Sequence, residues 1–474
     1  MMFLRPVYSN LIFEFIICSS KDFEFTDMKR LTVPLASAGA AAMLALTLTL
    51  GAVPITPARA ADAATGNGWV ATWQASPQPV WGTDFLFPTH LPAALHAQTV
   101  RQVARISLGG ERLRIVLSNA YGKQPLFVGK ATVARFREAS AAGAVTDGSL
   151  RAVSFGGQEG VTIPPGASWV SDPVALPVPA LSQVAVSLYL PQATPISTFH
   201  WDGRQTGWIV SGDQTQATSL QIADPDRQST TARPLLTGIA VETGPAARAV
   251  AVIGDSITDG AAATLNKDSR WPDFLAARLA PHGVAVVNAG ISGARLLSDG
   301  MGANALARLE RDVLAQLGVR SVIVLLGIND IAWPGTAFAK HAEPPTLASL
   351  TAGYRQLIAQ AHSRGIRVLG ATLTPFEGAL PGTPLADYYQ PGKDALRAQV
   401  NDWIRHSGAF DAVIDFDAAL RDPAKPARIA SRFDSGDHLH PGDAGHRAMA
   451  EAVALDALLP GLESKAAGAL PQAR

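Results

Sequence analysis

Four short segments carry side chains whose types and spacing suit acyl transfer. Gly254-Asp255-Ser256 ends an apolar run that begins near Arg248, and a serine on a tight strand-to-helix turn can expose its hydroxyl as a nucleophile. Gly290, in "VVNAGISG", ends a second apolar run; a glycine there lets backbone approach a bound group and offers an N–H donor. Asn329, in "GIND", closes a third run and carries an amide that could face a developing oxyanion. Asp437 and His440 follow the last run, three residues apart in "DHLHP". One turn can bring that carboxylate under the imidazole Nδ1 and leave Nε2 facing outward.

Each segment also has a plainer reading. Asp255 or Ser256 could cap a helix, Gly290 could serve a turn, and Asn329 could close an Asx-turn. His438, His440 and His446 with Asp437 and Asp443 could be metal ligands, although histidines one residue apart lack the i, i+4 spacing of a zinc-binding pair on a helix. All four segments fall in order at the ends of apolar runs, which favours a single site. Of the two histidines beside Asp437, His440 is the expected partner. Residues three apart in a turn leading into a helix share a side, whereas neighbours diverge, and Pro441 restricts the backbone of His440.

The elements that must hold these residues differ between two regions. From Trp69 to about Val241 apolar residues alternate with polar ones, as in Leu113, Ile115 and Leu117 or Val184, Val186 and Leu188. That period predicts an all-β region of sandwich or jelly-roll type, with Gly109-Gly110 as a hairpin turn between "ARISL" and "ERLRIVL". From Arg248 onward continuous apolar strands alternate with helical stretches at Trp271–Leu279, Leu306–Leu317 and Leu347–Arg364. This pattern predicts an α/β domain whose parallel sheet is covered on both faces. In such sheets chemistry sits outside the carboxyl ends of the strands, where Ser256, the Gly290 loop and Asn329 fall.

As a set, "GDSITDG", the Gly290 loop, "GIND" and "DHLHP" resemble the four sequence blocks of the SGNH hydrolases, the GDSL esterase/lipase family, over residues 248 to about 458. Ile257 stands where the family name has leucine. The resemblance implies a flavodoxin-like three-layer α/β/α fold with a five-stranded parallel sheet. It implies Ser256 as nucleophile, His440 as base and Asp437 as its orienter, with an oxyanion hole made by the Ser256 N–H, the Gly290 N–H and the Asn329 side chain. It also implies a carboxylic ester as substrate and neither metal nor organic cofactor. More loosely, the β-rich region is similar to the amino-terminal module of some secreted bacterial two-domain members.

Composition bounds the remaining classes. Lys+Arg and Asp+Glu are both 39 in 474 residues, so neither nucleic acid nor an anionic membrane surface is expected as a bulk electrostatic partner. Lys29-Arg30 precede the apolar run Leu31 to Val53, and Ala58-Arg59-Ala60 fits a cleavage site. A signal peptide is expected, with a mature start at Ala61, a secreted or periplasmic location and no stable membrane span after cleavage; a retained anchor is the alternative. Met28 suggests that residues 1–27 belong to an over-long start. The single cysteine, Cys18, lies upstream of that cleavage. The expected organisation is thus 1–60 leader, 67–241 β-rich domain, 248–460 hydrolase domain and 461–474 tail. Export and the β-rich domain point toward acetyl or short acyl groups on carbohydrate, with a lipid or lysophospholipid esterase as the alternative. A non-catalytic glycan-binding protein would use Trp73, Trp81, Trp201 and Trp208 as stacking platforms, and a metal hydrolase would rely on Asp255 and Asp330.

Overall fold

The computed structural model describes residues 68–137, 142–244 and 246–459. The expected leader and its cleavage site, Cys18 and the tail from 461 lie outside the described residues. In the first half, alternation makes antiparallel sheets. Along Gly110–Ser118 the side chains of Leu113, Ile115 and Leu117 are buried while Arg112 faces water. This strand pairs with Leu236–Thr243, which pairs with Gly68–Gln74, and Ser168–Val170 and Val174–Val178 flank its other edge. A six-stranded sheet runs Ser229–Thr230, Gly207–Ser211, Gln98–Arg105, Gln183–Leu190, Lys130–Arg135, Arg151–Val153. Both sheets feed one hydrophobic core.

The hairpin expected at Gly109-Gly110 does not form. Gln98–Arg105 and Gly110–Ser118 belong to different sheets, so residues 106–109 carry the chain from one to the other. The glycines answer to crowding rather than to turn geometry: a Cβ on Gly109 would stand 2.3 Å from the Val178 carbonyl oxygen.

From Arg248 the chain builds a five-stranded parallel sheet in the order Val284–Gly290, Arg248–Gly254, Val319–Leu325, Arg367–Ala371, Ala412–Ile414. Chain order is therefore 2-1-3-4-5, the flavodoxin-like arrangement, whose ligand crevice lies at the switch point beside the first strand. Gly254 pairs with both Gly290 and Leu325, so three strand ends finish level at that crevice. Helices Trp271–Leu279, Leu347–Ser363 and Pro391–His406 cover the faces. The stretch expected as one helix from Leu306 begins as Ala305–Leu309 and widens into a π-turn at Glu310–Leu314. That turn seats the buried pair Arg308 and Asp312, 3.1 Å apart.

The two halves form one compact unit. Val284–Gly290 is an edge strand, and the β-rich half covers it: the Val286 N–H donates to Ser107 Oγ at 3.0 Å. Gln74 Nε2 donates to the Asp312 carbonyl at 3.0 Å, and Gln78 Nε2 to that of Met301 at 2.9 Å. Among the described residues no helix is long and apolar enough to cross a membrane. Because Gly109 has backbone on its Cβ side, Gly109→Ala should lower the free energy of urea unfolding by about 1–3 kcal/mol. An unchanged midpoint would show that this crossing has slack.

Candidate active site

Ser256 opens a single helical turn, Ser256–Asp259, directly after the first parallel strand. The turn is tight: Asp255 caps it by accepting from the Ile257 N–H at 3.0 Å, and a Cβ on Gly254 would stand 2.1 Å from Thr258 Oγ1. Beneath it Arg308 ties two strand ends together, donating to the Ala289 carbonyl at 2.6 Å and the Gly254 carbonyl at 3.2 Å. The serine is thus held at the rim while its neighbours are buried.

On the far side of the crevice the loop before helix Asp443–Glu451 closes on itself. The Ser435 N–H reaches the His440 carbonyl at 3.1 Å and the Gly442 N–H that of Phe433 at 2.8 Å. This aims His440 Nε2 at Ser256 Oγ, 2.8 Å away, and Nδ1 at Asp437 Oδ2, 2.6 Å away. Asp437 Oδ1 accepts from the Leu439 and His440 N–H groups at 2.9 and 2.8 Å. Burial works against its ionisation, yet the His440 ring and these amides hold the carboxyl well below the usual carboxylate range. His438 turns away, with φ +61°, and its ring pairs with Asp434.

The three expected oxyanion donors fare differently. The Ser256 N–H has no acceptor within the protein among the described residues. Asn329, in the turn after Gly327, gives one amide hydrogen to the Ala294 carbonyl at 3.0 Å and accepts from the Tyr388 hydroxyl at 2.7 Å. Those partners fix which way the amide faces and leave its second hydrogen for the cavity. Gly290 does not reach the site: it is still in the ladder, its N–H donates to Asn288 Oδ1 at 2.8 Å, and a Cβ there would stand 2.4 Å from the Asp259 backbone nitrogen. The glycine that does line the cavity with Ser256, Asn329 and His440 is Gly293, at φ +71°. Its N–H has no acceptor among the described residues. Both glycines sit in "NAGISG", and the signal separating them is where the strand ends.

Residues 252–448 match the GDSL-like lipase/acylhydrolase family model. The match lies within the α/β half. The solved structures it resembles include the native aryl esterase of M. smegmatis, at 20% identity over 44% of this chain and 96% of that one, with a TM-score of 0.35. A member of the lipolytic G-D-S-L family from Veillonella parvula matches at 20% identity over 44% and 96%, with a TM-score of 0.33. The acetyl xylan esterase AlAXEase matches at 20% identity over 43% and 96%, with a TM-score of 0.32. No curated protein matches the sequence.

Around Ser256 lie further residues: Asp259, Ser292 and His200 were missed by sequence reasoning, and Asp330 was read there only as a carboxylate for a metal site. Asp259 ends the turn that Ser256 opens and accepts from both the N–H and the hydroxyl of Ser292, at 2.9 and 2.8 Å, next to Gly293. Its other oxygen faces His200 Nε2 at 2.9 Å, while His200 Nδ1 faces the Ser76 carbonyl at 3.0 Å. Two acceptors on one imidazole are both satisfied only by the imidazolium. Burial alone would lower the pKa of His200, but the Asp259 carboxylate raises it above the ordinary value. Asp330 accepts from the Leu296 and Leu297 N–H groups at 2.7 and 2.9 Å and pins the far end of the same loop, with burial pushing its carboxyl up to about 6.

The remaining histidines and aspartates named as metal ligands are engaged elsewhere. His446 accepts from the Trp271 N–H and faces the Ala261 carbonyl, both at 3.3 Å, and burial pulls its pKa down to about 4. Asp443 accepts from the Thr264 N–H and the Ser269 hydroxyl. Among the described residues no group of three or more His, Cys, Asp or Glu side chains is arranged to hold a metal ion.

Burial pushes the Asp255 carboxyl up to about 7 and leaves its Oδ2 unpartnered. A carboxyl with a raised folded pKa destabilises the fold as pH climbs from its unfolded value, about 4, through its folded one. Asp255→Asn keeps the cap on Ile257 and removes the charge. Its stability relative to the parent should therefore grow as pH rises from about 4 to about 8, measured by urea unfolding at several pH values. A pH-independent difference would show that Asp255 is ionised in the fold throughout this range.

Proposed function

We propose that the protein is a serine carboxylic ester hydrolase working through an acyl-enzyme. The observation that carries this reading is the unbroken Ser256–His440–Asp437 chain at a cavity that Gly293 and Asn329 also line. In the first step His440 Nε2 takes the Ser256 hydroxyl proton as Oγ bonds to the ester carbonyl carbon. The N–H groups of Ser256 and Gly293 and the Asn329 amide hold the resulting oxyanion. As the intermediate collapses, the departing alkoxide takes the proton from His440. Water then gives a proton to His440 and attacks the acyl carbon, and Ser256 Oγ recovers the proton on release of the acid. Asp437, anionic throughout, keeps the ring in the tautomer that exposes Nε2.

The glycan-binding alternative has less behind it. Trp73 and Trp208 are 5% and 4% exposed and belong to the core, and Trp81 and Trp201 pack among other rings. Export belongs to the proposal on the strength of Lys29-Arg30, the apolar run and Ala58-Arg59-Ala60. Secreted protein should begin at Ala61 by intact-mass analysis; retention of residues 31–53 would replace the leader with an anchor.

A sulfonyl fluoride should add one group at Ser256, and peptide mapping identifies the site. His440→Ala should lower kcat by ~10³-fold or more and Asn329→Ala by ~10²-fold, while His438→Ala stays within a few-fold of the parent. If His438→Ala is the inactive variant in a folded protein, the base has been misassigned.

A further inference from the structure

The wall of the catalytic cavity is shared between the two halves. Its volume is 490 Å³, and its lining places Met301, Trp333 and Phe338 of the α/β half opposite Leu86, Phe87 and Trp201 of the β-rich half. The latter three come largely from a strap, residues 80–92, that leaves the β-rich half and returns to it. Two indole N–H groups hold the strap in shape: Trp81 donates to the Phe87 carbonyl at 2.7 Å and Trp201 to that of Pro88 at 2.9 Å. Its rings reach across to the other half, with Phe85 stacked on Phe338 at 5.6 Å and Phe87 edge-on to Phe338 at 5.4 Å. Phe87 also stacks on Trp201 at 5.3 Å, and Phe338 on Trp333 at 4.5 Å.

Polar side chains are few in the lining, and apart from those of the proposed reaction their hydroxyl donors are spent within the protein. Ser292 donates to Asp259, Asp202 pairs with Arg204, Thr383 donates to the Leu380 carbonyl and Tyr388 to Asn329. A site that reads sugar hydroxyls needs polar groups left over to bond them. What this cavity offers instead is apolar and aromatic surface at the edge of the ester-cleaving groups.

Building on the serine-esterase reading above, we propose that the substrates are esters carrying a large apolar group, an aliphatic chain or a ring, which lies between the strap and Phe338. Leu86, Phe87 and Trp201 are then specificity-determining residues supplied by the β-rich half. Acetylated carbohydrate, toward which export and domain organisation pointed, is not the class this wall fits.

Three esters separate the terms: ethyl acetate as reference, and the isomers ethyl octanoate and octyl acetate, which put the same apolar chain on the acyl or the alcohol side. Each buried methylene should multiply kcat/KM by about fourfold when fully desolvated. On the mature protein at least one isomer should therefore exceed ethyl acetate by tenfold or more, and the preferred isomer tells which side the cavity takes. Leu86→Ser and Phe87→Ala should each reduce that ratio at least threefold, with folding checked by cooperative melting. Leu86 is 42% exposed, so its replacement does not disturb the core. Equal turnover of ethyl acetate and both isomers, faster release of acetate from acetylated xylan than from any of them, or an unaltered ratio in both strap variants would overturn the proposal. Sulfonyl fluoride labelling of Ser256 in the same samples keeps the two readings apart. A labelled enzyme without the chain preference refutes only the substrate class, whereas folded protein that is neither labelled nor active refutes the esterase reading and this inference with it.

Discussion

A buried carboxylate, Asp259, holds the rest of the site in place. It lies at the end of the turn that begins with Ser256, and a charge so deeply buried persists only if it is fully paired. Ser292 satisfies one oxygen through two hydrogen bonds, and the protonated ring of His200 satisfies the other. The first pair of bonds sets the loop in which Gly293 presents its N–H. The second fastens that loop and the catalytic turn to a strand of the β-rich half. Removing either partner would leave an uncompensated charge under the cavity, so the Ser256 turn, the Gly293 loop and the β-rich half are bound into a single constraint.

The same half also settles the fate of the sheet edge. A parallel edge strand exposes backbone groups that invite pairing with other chains. Here the Ser107 hydroxyl takes the Val286 N–H and the strand Gly68–Gln74 packs over Val284–Gly290. The β-rich half is therefore part of how the α/β sheet ends, and it reaches the cavity as well through the strap and Trp201.

Much of this was legible in the sequence, for physical reasons. Period-two alternation fixes which side of Gly110–Ser118 is buried, and unbroken apolar runs fix the parallel strands, because burial on one face or on both leaves a direct mark on residue type. The three-residue spacing of Asp437 and His440 predicts their meeting, since turn geometry is local. Other features depend on contacts far apart in the chain. Nothing in "NAGISG" says that the ladder continues through Gly290, so the sequence does not show that Gly293, three residues on, is the glycine at the cavity. The glycines at 109 and 110 look like a turn, but they are required by the carbonyls of Val178 and Glu242, which arrive from distant strands. His200 and Asp259 are 59 residues apart and carry no pattern. The strap was invisible for a related reason: aromatic residues in an irregular segment have no period from which to infer what they face.

The way the strap is fastened has a consequence for how such a protein changes over generations. Its two indole anchors grip the carbonyls of Phe87 and Pro88, groups that stay when the Phe87 side chain is exchanged. The Leu86 and Phe87 side chains, which line the cavity, can thus be replaced by mutation without unhooking the segment that bears them. The strap's share of the cavity lining and the Ser256 turn thus lie on separate stretches of chain, so a change in one need not disturb the other.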